Sequence, residues 1–133
     1  MPIVVDASIT LAVLLKEGAL SAAAALAESE WIVPALWWFE VRNGLIINER
    51  RGRSSEQLSA HSLAELSQIS TAIDVLPDGD RLMALARKHR LTVYDAAYLE
   101  LALRQGLPLA TLDTDLLNAA RIEGVPLVGD AGD

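Results

Sequence analysis

The chain contains no cysteine. That absence excludes disulfides, thiolate zinc sites and a cysteine nucleophile together. Histidine is scarce too: only His61 and His89 occur, both on polar helical patterns that read as surface. A Ser-His-Asp triad therefore has little to stand on, and no GxSxG is present. The glycine-rich phosphate loops are missing as well, since neither GxGxxG nor GxxxxGKS/T occurs. No apolar run reaches the roughly 18 residues that span a bilayer. Residues 1–16, MPIVVDASITLAVLLK, carry an acid at position 6 and no basic start, unlike a signal peptide. A folded cytoplasmic protein, with no membrane partner and with chemistry carried by oxygen ligands, is what these absences leave.

What is present suits a single domain over residues 1–133. Hydrophobic residues make up 52% of the chain, enough to bury a sizeable core. The net charge of −7 argues at first against nucleic acid as a partner. Five of the 18 acids gather at one candidate site, however, and the remaining 13 face 11 bases. The acidity is then local and not a property of the whole surface.

Short β-branched runs alternate with longer helical patterns. PIVVD (2–6), WIVP (31–34), AIDVLP (72–77), LPLATLD (107–113) and VPLVGD (125–130) read as strands. ASITLAVLLKEG (7–18), ALSAAAALAESE (19–30), ALWWFEVRNGLIINERRG (35–52), SSEQLSAHSLAELSQI (54–69), DGDRLMALARKHR (78–90), YDAAYLELALRQG (94–106) and TDLLNAARIEG (114–124) read as helices. Ser54 and Gln57 stand where a capping box would open the fourth helix. Strands separated by helices imply an α/β fold of right-handed βαβ units, with a mainly parallel sheet covered on both faces. The C-terminal DAGD is expected to fray.

Glu40 poses the chemical question. PALWWFEVRNGLII (34–47) is an apolar helical run with one acid in its middle. Leu36, Trp37, Asn43 and Gly44, three and four residues away, carry no charge, and Arg42 faces elsewhere. A buried carboxylate without a partner costs several kcal/mol or gives up its charge. A group outside this helix must compensate it.

Other acids recur at one place. Asp6 closes the first strand, Asp113 closes the fourth, Asp115 follows two residues later, and Asp95 begins the helix YDAAYLELA. Ligands of open α/β sheets bind beyond the carboxyl ends of the strands, where strand order reverses. With strands one and four as neighbours, Asp6 and Asp113 meet in that crevice, joined by Glu40 and Asp95. Each aspartate also has a plainer reading. Asp6 could cap the helix that follows, and Asp95 could be the third-position acid of a box begun by Thr92. Asp113 could cap TDLLNAA, with Asp115 answering the helix dipole. Glu40 has no such role, and its alternative is a long-range salt bridge. Two carboxylates about 4 Å apart repel by roughly 4 kcal/mol at an effective dielectric of 20. Four together require protons or a cation, and oxygen-only ligands suit Mg²⁺ or Mn²⁺ while fitting zinc poorly.

VVDAS (4–8), PALWWFEVRNGL (34–45), TVYDAAYLELA (92–102) and LATLDTDL (109–116) together resemble the PIN-domain ribonucleases. Within that family they resemble the VapC-type toxins of bacterial and archaeal toxin–antitoxin pairs. The four pieces stand in the family's order, and the resemblance covers the whole chain. It implies a five-stranded parallel sheet and Mg²⁺- or Mn²⁺-dependent endoribonuclease activity that leaves 5′-phosphate and 3′-hydroxyl ends. It also implies RNA as substrate, self-association as a homodimer or higher oligomer, and a neutralising antitoxin. The family's catalytic, metal-binding acids fall on Asp6, Glu40, Asp95 and Asp113, with Asp115 at a less uniform acidic position. Ser8, Asn43 and Thr111 match polar positions around the site. Asn43, one turn beyond Glu40, is placed to orient its oxygens.

RNA that approaches an acidic pocket needs bases beside it, and NERRGR (48–53), with Arg50, Arg51 and Arg53, and RKHR (87–90) are the candidates. Trp37 and Trp38 point about 100° apart on a helix. One is expected in the core and the other at the surface, where this helix and the alanine-rich one before it could form a groove for an antitoxin segment or a second subunit. Two other readings compete. An aspartyl-phosphate protein also holds Mg²⁺ among strand-end acids, but DAS stands where such phosphatases have DxD, and no lysine follows Lys88. A non-catalytic binding module, whose acids only cap helices, would bind no metal.

Overall fold

Successive residues of a strand point to opposite faces of a sheet, so a strand buried at every position is covered on both sides. Ile3–Val5 (β1) is such a strand: its three residues are 4%, 0% and 0% exposed. The computed structural model describes residues 1–15, 26 and 28–129. In it β1 joins Trp31–Pro34 (β2), Thr71–Asp74 (β3) and Leu109–Ala110 (β4) in a parallel sheet ordered β3-β2-β1-β4. Among the described residues six helices accompany it: Ala7–Leu15 (α1), Ala35–Arg50 (α2), Glu56–Leu66 (α3), Gly79–His89 (α4), Val93–Gln105 (α5) and Thr114–Glu123 (α6). The alanine-rich helix read over 19–30 lies outside the described residues except at 26 and 28–30, as do the end of the first helix beyond Leu15 and the tail 130–133. No described helix is long and apolar enough to cross a membrane.

Among the described residues the sheet has four strands, not five. The final segment, read as a strand over 125–130, makes a single parallel bridge between Leu127 and Leu109. Pro126 has no N–H to extend a ladder, and Gly129, at φ 80°, turns the chain away. β4 is likewise shorter than LPLATLD suggests, because Thr111 to Asp113 leave the sheet to build the site. β3 stops at Asp74 and forms the sheet's edge, leaving Ile73, Val75 and Leu76 exposed. The cap of α3 is Ser55, one residue after the position read from the sequence; its hydroxyl accepts from the Leu58 N–H at 3.2 Å. His89 is not a surface residue: its ring is 5% exposed and its Nε2 lies 2.6 Å from Glu123, which Lys88 also meets at 2.7 Å.

Two tertiary ties set the geometry around the site. The Thr10 hydroxyl donates to the Asp6 carbonyl at 2.7 Å and accepts from the Trp37 indole at 3.0 Å, which fixes α2 against the end of β1. Trp37 is 3% exposed and Trp38 42%, as a 100° separation requires. At the same crossing Gly44 lets α1 approach α2, since a Cβ there would meet a Leu11 methyl at 2.3 Å. The second tie is ionic. Glu100, wholly buried on α5, accepts from Arg104 Nε at 2.8 Å, from Arg104 Nη2 at 3.0 Å and from the Asp78 N–H at 3.3 Å. Arg104 also grips Asp74 at 2.6 and 3.1 Å. This network joins α5 to the end of β3 and the start of α4.

Candidate active site

In the register of β1 with β4, Val5 stands beside Ala110. Asp6 and Thr111 therefore leave the sheet side by side at its carboxyl end, the position expected of a ligand crevice. Asp6 is 4% exposed. Its Oδ1 accepts from the Ser8 hydroxyl at 2.7 Å and from the Ile9 N–H at 3.1 Å, and its Oδ2 accepts a short bond from the Thr111 hydroxyl. Those hydroxyls are held in turn: Ser8 Oγ accepts from the Leu112 N–H and Thr111 Oγ1 from the Asp113 N–H, each at 3.0 Å. Ser8 and Thr111, read from the sequence only as polar positions around the site, both bond to Asp6.

Three helices begin here. Asp6 caps α1 through Ile9, Asp113 caps α6 through the Leu116 N–H at 2.9 Å, and Thr92 caps α5 through the Asp95 N–H at 3.1 Å. The capping readings are all correct as geometry. They do not exhaust the carboxylates: the α5 cap uses the Asp95 N–H and not its side chain, and the α6 cap occupies only Oδ2 of Asp113, whereas both oxygens of Asp6 accept bonds.

Glu40 reaches the same place from α2. It is half-buried, and Tyr98, itself 1% exposed on α5, donates its hydroxyl to Glu40 Oε1 at 2.6 Å. Asn43, expected to hold Glu40, is exposed and makes no bond to it; Tyr98 does that work. The sequence carried a signal for Tyr98: it follows Asp95 by three residues, on the same face of one helix.

Electrostatics ties the acids together. Burial, the largest cause, pushes Asp6, Glu40 and Asp95 above their ordinary values. Like charges add to it: Asp113 acts on Asp6, Asp95 and Asp6 act on Glu40, and Asp113 and Asp115 act on Asp95. Asp6 and Glu40, 34 positions apart in the chain, thus face one another's field. Burial and the bond to Glu40 push the Tyr98 hydroxyl up as well, so it stays a donor. Between described residues, ion pairs involve Glu65, Glu123, Asp74 and Glu100, and none touches the five site acids. Among the described residues Glu40 makes no salt bridge, so the long-range pair considered for it is not found there.

Arg50, Arg51 and Arg53 lie at and beyond the far end of α2 and are exposed. They do not touch the acids; Arg50 sits roughly 15 Å from Glu40 along the helix axis at 1.5 Å per residue. In the other basic cluster Lys88 and His89 are already engaged by Glu123.

The PIN-domain family matches residues 3–122 of this chain. The chain belongs to that family. Over 81 residues it is 42% identical to Ribonuclease VapC3 of Pyrobaculum aerophilum, a match that takes in 59% of this chain and 62% of that relative, less than two thirds of its length. In three dimensions it is similar to PAE2754 of the same organism, with a TM-score of 0.72 and 29% identity over 96% of this chain and 84% of the other. A toxin-antitoxin complex from Klebsiella pneumoniae has the same fold, with a TM-score of 0.55 and 22% identity over 84% of this chain and 87% of that one.

Whether these residues fit a divalent cation follows from their chemistry. The donors are oxygens only, in a pocket that no described base neutralises, and hard cations prefer that set. The carboxylates are gathered but not closed: among the described residues no three meet as a ready-made cage.

The raised acids give a pH prediction for metal-free protein. An acid whose folded pKa exceeds its unfolded one binds its proton more tightly when folded. Its contribution to stability is full below the ordinary values of 3.8 and 4.5 and is lost as pH rises through the raised folded values. Asp6→Asn removes one such group. In urea melts with EDTA, the mutant should gain on the wild type as pH rises from about 4 to 7. A stability difference that does not change with pH would contradict the assignment.

Tyr98→Phe should lower activity about tenfold or more, the scale seen when a group that orients a ligand is lost. It should also move the acid limb of the pH–rate profile upward, because the bond from Tyr98 now favours the charged form of Glu40. A reduced rate with an unmoved profile would make Tyr98 a packing residue.

Proposed function

We propose that this chain is a VapC-type toxin that hydrolyses RNA phosphodiester bonds with Mg²⁺ or Mn²⁺. The observation that carries the reading is that Asp6, Glu40 and Asp95 feel one another's charge or that of Asp113 and Asp115, while no described base forms an ion pair with any of the five. Asp6, Glu40, Asp95 and Asp113 would hold the ion, with Asp115 at its margin. When bound, the ion supplies acidity to water and positive charge at the phosphate. The chain's own part is to place and orient. Ser8 and Thr111 hold both Asp6 oxygens, Tyr98 holds one Glu40 oxygen, and the caps fix Asp95 and Asp113 at the starts of α5 and α6.

Likeness to a curated VapC ribonuclease and to a toxin–antitoxin complex supports an antitoxin partner and an RNA substrate. The self-association that the family resemblance implies, and the cytoplasmic location read from the sequence, are part of the same proposal. The test is incubation with total cellular RNA, with and without Mn²⁺, followed by mapping of the cut ends. Metal-dependent cuts leaving 5′-phosphates are expected; intact RNA in both arms would refute the reading. The complete set of cap bonds favours one second reading, a module whose acids only start helices. Mn²⁺ titration separates the two, because that module binds none.

A further inference from the structure

Glu40 and Asp6 stand on different elements, Asp6 just before α1 and Glu40 in the second turn of α2. Ser8, the Ile9 N–H and Thr111 hold the Asp6 carboxylate, and Tyr98 of α5 holds Glu40. None of those bonds runs from α1 to α2, so none sets the span between the two acids. Apolar contact draws the helices together but is non-directional. Where Leu11 rests on Gly44 there is no side chain to interlock with. Among the described residues one side-chain hydrogen bond joins the two helices: the Trp37 indole donates to the Thr10 hydroxyl at 3.0 Å. Thr10 is 0% exposed and Trp37 is buried beside it.

Chemistry fixes the direction of this bridge. An indole N–H only donates, and a threonine hydroxyl has a single proton. That proton goes to the Asp6 carbonyl at 2.7 Å, so the hydroxyl oxygen is left to accept from Trp37. The Thr10 N–H reaches the same carbonyl at 3.2 Å. The result is a one-way chain, indole to hydroxyl to carbonyl, whose members polarise one another in the core. It ends on the backbone of Asp6. It starts on Trp37, one turn before Glu40 and on the same face of α2. Packing alone does not fix the ring, because one side of Trp37 borders a cleft of about 270 Å³ shared with Trp38, Leu63, Leu66 and Ile73. The bond to Thr10 gives the ring its direction. Apolar residues of similar shape would fill both places at little cost to folding, so stability alone does not call for this pair.

We propose that Thr10 and Trp37 are positioning residues: their hydrogen bond sets the span between Glu40 and Asp6, and with it the grip of the acidic site on a divalent cation. The inference rests on the metal-dependent reading of that site and adds to it two buried residues outside the acid cluster. A misplacement of about 1 Å can cost on the order of a hundredfold in rate, so a bond that never meets the ion can still govern what the site does.

The test compares the wild type with the paired change Thr10→Val and Trp37→Phe, and with Thr10→Ser, which keeps the hydroxyl. Thr10→Val alone would strand the indole N–H in the core; the paired change leaves no orphan donor, and circular dichroism checks that it folds. Should it not fold, Trp37→Phe alone carries the same measurements, since the Thr10 hydroxyl still donates to Asp6. Crystal structures of metal-free protein should show the Glu40 carboxylate displaced relative to Asp6 by about 1 Å or more in the paired variant, and in place in Thr10→Ser. Calorimetric titration with Mn²⁺ should show affinity lowered about 10–100-fold in the paired variant, the range for a lost partner that orients a metal ligand, and retained in Thr10→Ser. A folded paired variant with Glu40 in place and wild-type Mn²⁺ affinity would overturn the proposal. So would Thr10→Ser behaving like the paired variant, because the shape of residue 10 and not its hydroxyl would then matter. A displaced Glu40 in a protein whose wild type binds no Mn²⁺ would leave the spacing to this pair and remove the metal-dependent reading.

Discussion

Asp6→Asn is expected to reduce RNA cleavage more than a hundredfold while leaving the metal-free protein as stable as the wild type or more so. Asp6 is the most buried of the five acids, and burial is the main reason its charged form is disfavoured. Asparagine keeps nearly the same shape. The asparagine oxygen can keep accepting from Ser8 and the Ile9 N–H, and Thr111 can turn its hydroxyl to accept from the amide, so the local bonds survive. The charge that would draw a cation does not survive. A divalent ion contributes several kcal/mol to phosphoryl chemistry, and each 1.36 kcal/mol is about a factor of ten in rate. Binding differs in parallel: ion at about 100 times its dissociation constant adds roughly 2.7 kcal/mol of stability, on the order of 10 °C for a small domain. Differential scanning fluorimetry with and without Mn²⁺ should show that shift in the wild type and much less of it in Asp6→Asn. Equal shifts would mean that the ion binds elsewhere.

Arg104→Ala should be the most damaging single change away from the site, costing about 3–5 kcal/mol, because it leaves a buried carboxylate uncompensated. Glu100 is 0% exposed and takes two of its three bonds from Arg104; without them only the Asp78 N–H remains. Asp74 loses its partner at the same time. Small domains hold about 5–15 kcal/mol in all, so the loss should be plain in urea unfolding at pH 7. Replacing both members, Glu100→Leu with Arg104→Met, removes the stranded charge and should cost less than the single change. A double variant weaker than Arg104→Ala would show that the pair contributes more than it takes to desolvate it.

The parts of this fold that periodicity fixes were legible in the sequence. β1, β2 and the helices α2 and α4 to α6 follow their apolar patterns to within a few residues. What failed was pairing at the margins. VPLVGD has the composition of a strand, but a proline and a positive-φ glycine stop its ladder at Leu127. Composition reports the tendency to extend, whereas a ladder also needs free N–H groups and a straight neighbour. The place of Asp6, Asp95, Asp113 and Asp115 in the candidate site was legible because they sit at strand ends and helix starts, where chain position alone limits where a side chain can go; Glu40, mid-helix, stood out only as an acid in an apolar run. Tyr98 and the Glu100–Arg104 pair went unread although both follow helical spacing. Tyrosine in an alanine-rich helix looks like packing until the carboxylate opposite it is known. His89 was misread for the same reason, since its burial depends on Glu123 arriving from another helix.

Asp6 and Asp113 start helices and are also among the proposed site acids, a double duty with a further consequence. Asparagine caps a helix about as well as aspartate. A one-letter change at either position could therefore silence the chemistry and leave the fold intact. Inert descendants of such a chain would persist as folded proteins, still presenting the same surface to whatever binds them. Shared ancestry and intact architecture would then say little about whether a given copy still cuts.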